Sequence, residues 1–386
     1  MDRPLGAGFL LARFGIRIYN APWLCHFSRM SMKSIRVLHI VKRLGLGGTE
    51  KVMQQFVTHL DTGRFEPTVF AFADGERGPQ LRQAGIATHI GADLPAVLDR
   101  VRPQVVHVHR AGWPEPELLR PLRRAGVPVV VETNVFGRHD PSPLCAVIDK
   151  HLFVSRFCLD RFHQTTGIER DTAAYDFLYN PVDTDFFSAT ARQDHDFSLP
   201  AAGRISRPDP GKWSGLALEF LPMVVREIPD FRYHVIGGIP EAEAYVRDNN
   251  LEKNVLFHNT VTTDAEICDF LDQVSLLAHA NDTGESFGLV IAEAMACGLP
   301  VITHPAEGLR DNAQLELVDH GVTGLVARNA EEYAQAVIWL LAHPEQAREM
   351  GRAGRAKAAE HYRSQTVTRQ LENIYVELLR RKGIES

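Results

Sequence analysis

The sequence predicts an α/β protein with two doubly wound, Rossmann-like parallel sheets. Two observations support this class. Strand-like and helix-like patterns alternate along most of the chain, at the spacing of the crossovers that join parallel strands. The chain has 386 residues, which is too long for one ordinary hydrophobic core and suits two α/β domains.

Composition argues against several classes of protein. The chain is 45% hydrophobic and 23% charged, close to globular averages, so neither disorder nor a repeat array is indicated. A net charge of -6 gives no support for nucleic-acid binding. The five cysteines form no C-x-x-C pair and indicate reduced thiols in a cytoplasmic protein. No stretch reaches the roughly 18 to 20 apolar residues of a membrane span, so we expect at most peripheral association with the inner face of the membrane.

Residues 1–33 match no pattern that assigns them a structure. The segment GAGFLLARFGI contains Arg13 and Arg17 and is too interrupted for a signal-peptide core. Two interpretations stay open: translation starts at Met30 or Met32, or the segment is a short amphipathic anchor at a membrane surface. We therefore treat residues 1–33 as an unassigned tail.

The first regular unit begins at Ile35. The run IRVLHIV predicts a buried strand, LGLGGTE a glycine turn and KVMQQFVTHL an amphipathic helix. A dinucleotide-binding G-x-G-x-x-G turn would need a small residue where the chain has Glu50, which disfavours a nicotinamide site. By themselves, Gly47 and Gly48 indicate a simple tight turn between the strand and the helix.

Further strands and helices follow in alternation. The runs PTVFAFA, ATHIG, VVHVH and VPVVVET predict strands, while GPQLRQAG, LPAVLDRV and PELLRPLRRAG predict helices. We expect His107 and His109 to face opposite sides of their strand. Only His109, nearer the C-terminal end, is then expected to reach the crevice where open α/β sheets bind ligands. A buried histidine without a catalytic role is the alternative.

The second half of the chain continues the same alternation. The polar segment ARQDHDFSLPAAG, which has no periodicity, predicts an interdomain linker. After it, FRYHVIGG and NVLFHNTV predict strands and DAEICDFLDQV predicts a helix.

The stretch Ser275–Thr303 predicts a strand, a polar loop, a helix and a second buried strand. Gly298 lies where a helix end favours a residue that tolerates positive φ, and Pro300 cannot prolong the helix. Between Phe287 and Cys297, Glu293 is the one residue that is neither apolar nor glycine, so a largely buried helix carries a charge that needs a partner.

A second carboxylate, Glu285, precedes this helix. The free N–H groups at the helix start favour an anion in the adjoining cleft, and a ligand hydroxyl pair would satisfy Glu293. The alternative is that Glu293 pairs with a buried Arg or Lys and that Glu285 only interacts with the helix dipole.

The pattern E-x7-E with F-G inside it, followed by EAMACGLPVI, resembles the signature of the family 4 retaining glycosyltransferases, which have the GT-B fold. The resemblance covers most of the chain from Ile35 onward and implies two domains that face each other across a cleft. It also implies that Glu285 contacts hydroxyls of the donor sugar and that Glu293 binds the ribose diol. The amides that hold the sugar and phosphate would be those of Phe287, Gly288, Leu289 and Val290.

The loop GRISRPDPGKWSG resembles the phosphate loop of the family, which implies that Arg204 and Lys212 neutralise the donor diphosphate. Here the two residues are farther apart than in the family motif. Arg207 is therefore an alternative ligand, and surface cations in a proline-rich loop are the other alternative. Gly47 and Gly48 lie in a turn that resembles the family's G-G-x-E turn near the donor phosphates or the acceptor.

The chain departs from the family after the strand VPVVVET. Many members have a histidine there that contacts the donor sugar, and here Asn134 is nearest that position. Asparagine forms hydrogen bonds but carries no proton. We expect Asn134 to make the sugar contact, with Glu132 facing the loop beside it, and His139 is the alternative.

The resemblance divides the chain into an acceptor-binding domain at 34–190, a nucleotide-sugar-binding domain at 198–362 and a closing helix at 363–386. Apolar residues at helical spacing, such as Leu371, Tyr375 and Leu378, predict that last helix. In this fold it crosses back to the first domain, so we expect it to act as a hinge partner.

The resemblance implies retaining transfer of a hexose from a nucleoside-diphosphate sugar to a hydroxyl of a glycan, lipid-linked or small-molecule acceptor, in bacterial envelope glycan or polysaccharide assembly. The candidate catalytic residues are Glu285, Asn134 and His109. We expect no cofactor and no metal, since Arg204 and Lys212 can take the charge of the leaving diphosphate. A non-hydrolysing sugar-nucleotide 2-epimerase and a non-catalytic GT-B partner subunit remain as alternatives.

Overall fold

The computed structural model describes residues 34–384, and the predictions for residues 1–33 lie outside this range. The described chain forms two sheets in which every strand pair is parallel. We call the first sheet with its covering helices the N-terminal lobe, and the second sheet with its helices the C-terminal lobe. The predicted α/β class with two doubly wound sheets is confirmed.

The N-terminal lobe contains a sheet of seven strands with the order β3-β2-β1-β4-β5-β6-β7. Its elements, in chain order, are β1 (Ile35–Arg43), α1 (Gly48–His59), β2 (Phe65–Ala73), α2 (Arg77–Gln83), β3 (Ala87–Ile90), α3 (Leu94–Val101), β4 (Val105–Arg110), α4 (Pro116–Ala125), β5 (Val129–Asn134), β6 (Lys150–Phe153), α5 (Arg156–Thr166) and β7 (Tyr175–Phe177).

The C-terminal lobe contains a sheet of six strands with the order β10-β9-β8-β11-β12-β13. Its elements are α6 (Thr184–Thr190), β8 (Ala201–Ile205), α7 (Leu216–Glu219), α8 (Leu221–Glu227), β9 (Arg232–Ile236), α9 (Pro240–Asp248), β10 (Val255–His258), α10 (Asp264–Leu271), β11 (Leu276–Ala278), α11 (Leu289–Cys297), β12 (Val301–Thr303), α12 (Gln314–Leu317), β13 (Gly324–Val326), α13 (Ala330–Ala342) and α14 (Pro344–His361).

The last helix, α15 (Ser364–Arg381), packs against the N-terminal lobe. Its buried residues Val367, Leu371, Tyr375 and Leu378 belong to the same apolar cluster as residues of β1, β4 and β5. This packing follows from the helical spacing of apolar residues in the sequence. The C-terminal end of the chain therefore covers one face of the first sheet.

Both sheets change winding direction at their centre, between β1 and β4 in one lobe and between β8 and β11 in the other. Loops at the C-terminal ends of strands diverge at such a point and leave a crevice that suits a ligand. The fold thus predicts where each lobe contributes to a site. None of the helices in residues 34–384 is long and apolar enough to cross a membrane.

Candidate active site

A cleft of about 950 Å³ is lined by the C-terminal strand ends of both sheets. The N-terminal lobe contributes the loop after β1 and the ends of β4 and β5, and the C-terminal lobe contributes the loops after β8 and β11. These positions include the switch points of both sheets, so the cleft lies where the topology favours ligand binding.

Two glycines shape the loop that leads into α11. Gly284 and Gly288 have φ angles of 67° and 107°. A Cβ at Gly284 would lie 1.5 Å from the carbonyl oxygen of Asp311, so only glycine fits this turn. The helix itself starts at Leu289, and the four residues predicted to hold a donor through their amides all line the cleft: Phe287, Gly288, Leu289 and Val290.

Glu285 lines the cleft and is held by three side chains. Its Oε1 accepts a hydrogen bond from Asn281 Nδ2 at 2.8 Å and lies 3.2 Å from Lys212 Nζ and 3.4 Å from His279 Nε2. Burial by itself would raise the pKa of this carboxyl, but His279, Lys212 and Asn281 outweigh it and lower the pKa to about 2. Glu285 is therefore ionised at neutral pH and acts as a hydrogen-bond acceptor.

Arg204 does not line the cleft, contrary to the prediction that it contacts a diphosphate. Its side chain is fully buried. Nη1 donates to the carbonyl of Ala280 at 2.7 Å, Nη2 donates to the carbonyl of Lys212, and the guanidinium lies 4.3 Å from the Trp213 ring centre. The long loop after β8 folds back and brings its own carbonyl onto the guanidinium. Arg204 thus supports the segments that carry Lys212 and Glu285.

Two other basic side chains of the loop after β8 line the cleft instead. Lys212 lines the cleft beside Glu285. Arg207, the alternative phosphate ligand, also lines the cleft, and its side chain is exposed with Nη2 3.8 Å from Asp209 Oδ2. This exposed pair is weak and leaves Arg207 available to an anion.

Glu293 lines the cleft and pairs with Lys51, which matches the alternative of a buried cation for this carboxylate. Lys51 Nζ lies 2.7 Å from Glu293 Oε1 and 2.5 Å from Asp264 Oδ1. Lys51 belongs to α1, while Glu293 and Asp264 belong to α11 and α10, so these ion pairs join the two lobes. Within the described residues Glu293 Oε2 has no hydrogen-bond partner, which leaves acceptor capacity for ligand hydroxyls.

The pKa values of this pair reflect burial and mutual attraction. Burial raises the pKa of Glu293, while Lys51 acts in the opposite direction. Burial by itself would lower the pKa of Lys51, but Glu293 and Asp264 outweigh it and raise this pKa above its usual range. Lys51 is accordingly charged at neutral pH.

Gly47 and Gly48 line the cleft at the start of α1. A Cβ at Gly48 would lie 3.1 Å from Leu289 Cδ1 of α11, and a Cβ at Gly47 would lie 2.3 Å from Glu50 Oε2. The absence of side chains therefore allows the backbone of α1 to approach the start of α11.

His109 lines the cleft as predicted, with its side chain 3% exposed. The expectation that His107 and His109 face opposite sides is wrong, because residues two apart on a strand share a face. Their rings stack with centroids 4.4 Å apart. Burial lowers the pKa of His109 to about 3, so the ring is neutral and a poor general base.

Asn134 lies away from the cleft, contrary to the prediction that it contacts the donor sugar. Its Nδ2 donates to the carbonyl of Arg138 at 2.8 Å, and its Oδ1 accepts from the amide of Arg138 at 3.2 Å. Asn134 is the last residue of β5, and Gly137, with φ 58°, turns the chain back on it. The side chain therefore closes this turn. Together with His139, the alternative sugar contact, it lines a separate cavity of about 370 Å³.

Glu132 does not face a loop either. Its side chain is fully buried, with Oε1 2.5 Å from Arg110 Nε and Oε2 in contact with His151 Nδ1. Burial by itself would raise the pKa of Glu132, but His151 and Arg110 outweigh it and lower that pKa. The carboxylate is thus an internal structural anion of the N-terminal lobe.

Sequence reasoning missed four residues that hold Glu285 or Glu293 in the cleft, directly or through Lys51: Lys51, Asp264, His279 and Asn281. The last two directly follow β11, and the strand-end rule would have selected them. Asp264 lies in the first turn of α10, which the T-x-x-E capping box at Thr263 marks in the sequence. Lys51 carried a weaker signal, since it neighbours the apolar residues of α1 that become buried.

Comparison with known proteins shows which proteins this chain resembles. Residues 198–343 match the family model described as glycosyl transferases group 1. The GDP-mannose-dependent alpha-(1-6)-phosphatidylinositol monomannoside mannosyltransferase of Mycolicibacterium smegmatis is 29% identical over 307 residues, which cover 75% of this chain and 70% of that protein. The N-acetyl-alpha-D-glucosaminyl L-malate synthase of Bacillus anthracis is 34% identical over 162 residues, which cover 41% of this chain and 40% of that protein.

Solved structures show the same fold. Anabaena HepE in complex with UDP and glucose superposes with a TM-score of 0.73 at 19% identity, over 89% of this chain and 100% of that one. A glycosyltransferase from Rickettsia africae superposes with a TM-score of 0.75 at 16% identity, over 90% of this chain and 99% of that one. The chain is thus similar to the group 1 glycosyltransferases over residues 198–343 and has the GT-B fold.

Proposed function

We propose that the protein transfers a hexose from a nucleoside-diphosphate sugar to a hydroxyl acceptor with retention of anomeric configuration. The observation that carries this proposal is the ionised Glu285, fixed beside Lys212 at the start of α11 inside the cleft. An acceptor-only carboxylate suits sugar hydroxyls, and an adjacent cation with free helix N–H groups suits a phosphate.

The donor would lie across the C-terminal lobe. Its diphosphate would contact Lys212 and the amides of Gly288 and Leu289, with Arg207 as a second cation at the rim. Glu285 would accept hydrogen bonds from the sugar, and Glu293 would accept them from the ribose diol through Oε2. In this placement the carboxylates accept hydrogen bonds from hydroxyls, and the cations contact phosphate oxygens.

Catalysis would then rest on charge and position. The bond between the anomeric carbon and the donor phosphate breaks, the acceptor oxygen bonds to that carbon, and the acceptor proton passes to the leaving phosphate. Lys212 stabilises the negative charge that develops on the diphosphate. Glu285 is a poor nucleophile because Lys212 and Asn281 already hold its oxygens, which favours attack from the face of the leaving group. We expect turnover without a divalent metal, to be tested in the presence of EDTA.

The acceptor would enter from the N-terminal lobe, past Gly47 and Gly48. Two of the similar proteins are named for a phosphatidylinositol monomannoside and for malate, a lipid-linked and a small-molecule group. The acceptor that we propose is a hydroxyl of a lipid-linked, glycan or small-molecule group, used in bacterial envelope glycan or polysaccharide assembly.

A thermal-shift panel of UDP-, GDP- and ADP-sugars tests the proposal, because a ligand that binds only the folded state raises its melting temperature. We expect one nucleotide class to stabilise the wild type, and Lys212→Met to reduce that stabilisation. Lys253→Met, which alters an exposed lysine outside the cleft, is the matched control. A panel without any stabilisation would refute the proposal, and an epimer formed from UDP-N-acetylglucosamine alone would favour the epimerase alternative.

A further inference from the structure

A continuous series of polar contacts runs through the interior of the N-terminal lobe between two cleft-lining residues, Thr133 and His109. His107 Nε2 lies 2.8 Å from Thr133 Oγ1, and His107 Nδ1 lies 2.5 Å from the hydroxyl of Tyr375 on α15. The same hydroxyl lies 3.4 Å from His39 Nε2, and His39 Nδ1 lies 3.0 Å from His109 Nε2. We call these five residues the histidine relay.

All three imidazoles of the histidine relay are neutral. Burial lowers the pKa of His109 to about 3, and burial together with the neighbouring rings lowers the pKa values of His39 and His107 well below their usual range. A neutral imidazole has one N–H donor and one nitrogen that accepts. The position of the hydrogen on one ring therefore determines which nitrogen of the neighbouring ring donates and which accepts.

The two contacts of Tyr375 set the direction of the histidine relay. A phenol is a good donor to an imidazole nitrogen and a weaker acceptor, so the contact of 2.5 Å is the one in which Tyr375 donates, to His107 Nδ1. The longer contact of 3.4 Å is the one in which its oxygen accepts, from His39 Nε2. His107 must then carry its hydrogen on Nε2 and donate to Thr133.

The same donor and acceptor argument assigns the hydrogen on His109, which lines the cleft. Because His39 carries its hydrogen on Nε2, its Nδ1 accepts, and the donor at 3.0 Å is His109 Nε2. His109 Nδ1 is then an unprotonated acceptor. It is buried and has no hydrogen-bond partner within the described residues, although the side chain lines the cleft. A buried acceptor without a partner is costly, which points to a ligand as the missing partner.

We propose that His109 Nδ1 accepts a hydrogen bond from a hydroxyl of the bound donor sugar, and that Tyr375 of α15 fixes the tautomer that makes this possible. The inference rests on the proposed function for the identity of the ligand. With Asn134 turned away, His109 and Thr133 are the polar side chains that β4 and β5 present to the cleft within the described residues. Tyr375, His39 and His107 are positioning residues that act through His109.

A metal site is the competing interpretation of the same cluster, since ligand atoms of the three histidines lie within 4.8 Å of one another. His107 uses both of its ring nitrogens, one towards Tyr375 and one towards Thr133. No lone pair then remains on this ring for a cation. The hydrogen-bonded interpretation accounts for both contacts of His107, and the metal interpretation requires one of them to break.

Nitrogen-15 NMR of histidine-labelled protein tests the tautomer directly, with the His109 signals assigned by their loss in His109→Asn. We expect the ligand-free wild type to carry the hydrogen on Nε2 of His109 and none on Nδ1. Tyr375→Phe, which removes one hydroxyl, should produce a mixture of the two tautomers. Tyr362→Phe is the control, because it removes another buried hydroxyl outside the histidine relay. A protonated Nδ1 in the wild type, or no change in Tyr375→Phe, would overturn the inference.

Ligand addition separates this inference from the proposed function. The Nδ1 signal should move when the most stabilising nucleotide sugar is added and stay in place with the corresponding nucleoside diphosphate alone. Tyr375→Phe should lower kcat/KM about fivefold, the effect of one neutral hydrogen bond, and leave binding of the nucleoside diphosphate unchanged. Binding of the nucleotide sugar without a response at Nδ1 would refute the inference alone, and no binding of any nucleotide sugar would refute the proposed function. Zinc chloride that moved all three histidine signals in the ligand-free wild type would favour the metal site instead.

Discussion

Replacement of Lys51 by methionine removes the cation that joins α1 to α10 and α11. The Glu293 side chain is 3% exposed, so without Lys51 it becomes an unpaired charge in the interior. Asp264 is 28% exposed and retains contact with water, which makes its share of the cost smaller. Removing one partner of a buried ion pair costs about 3–5 kcal/mol. We therefore expect Lys51→Met to lower the free energy of unfolding by about 3 kcal/mol.

A second substitution separates the unpaired charge from lost packing. Glutamine at position 293 has nearly the same shape as glutamate but no charge, so the double variant Lys51→Met/Glu293→Gln leaves no buried ion at Glu293. It should recover a large part of the stability lost in Lys51→Met. Lys253→Met, at an exposed position, should lie within about 0.5 kcal/mol of the wild type.

The assay is unfolding in urea followed by circular dichroism, with the shift of the midpoint compared at constant slope. Lys51→Met should unfold at a clearly lower urea concentration than Lys253→Met, and the double variant should lie between them. Equal midpoints for Lys51→Met and the wild type would refute the buried ion pair. A double variant less stable than Lys51→Met would show that packing, rather than charge, is what Lys51 contributes.

The remaining predictions concern Glu285 and the two basic residues near it. The folded-state pKa of Glu285, about 2, lies below its ordinary value of 4.5, so its carboxylate adds stability that is fully present above pH 4.5 and is lost as the pH falls towards 2. The difference in Tm between the wild type and Glu285→Gln should accordingly shrink on acidification, with the exposed Glu252→Gln as control, and a constant difference would contradict the pKa shift. Lys212→Met should lower the Tm modestly, because Glu285 loses one of the partners that keep it ionised, and should lose about 10²–10³-fold in turnover. Arg204→Met should instead destabilise the fold by about 2 kcal/mol, because two buried carbonyl groups lose their donors; stable but inactive Arg204→Met protein would restore Arg204 as a ligand.

The sequence predicted the fold well because its signals were local and periodic. The alternation of strands and helices, the glycine turn before α1 and the helix that ends at Gly298 can each be recognised within one segment. The same holds for Glu285, Glu293 and His109, which line the cleft because they lie at strand ends or on a helix beside it.

The errors arose where the contacts of a side chain depend on tertiary packing or on the path of a loop. Lys51 and Glu293 are separated by most of the protein, and no local pattern predicts that they meet. The motif predicts a phosphate contact for Arg204, but the loop after β8 folds back over its guanidinium. Its position in the family motif predicts a sugar contact for Asn134, whereas a turn at Gly137 directs it into another cavity.

Binding of the donor in the cleft is tested most directly by calorimetric titration of the stabilising nucleotide sugar into the wild type, Lys212→Met and Lys253→Met. Saturable binding to the wild type and Lys253→Met is predicted, with an affinity about 10- to 100-fold lower for Lys212→Met, the loss of a charge-assisted hydrogen bond. Equal affinities for all three proteins, or no binding to the wild type by any nucleotide sugar, would contradict the proposed donor site.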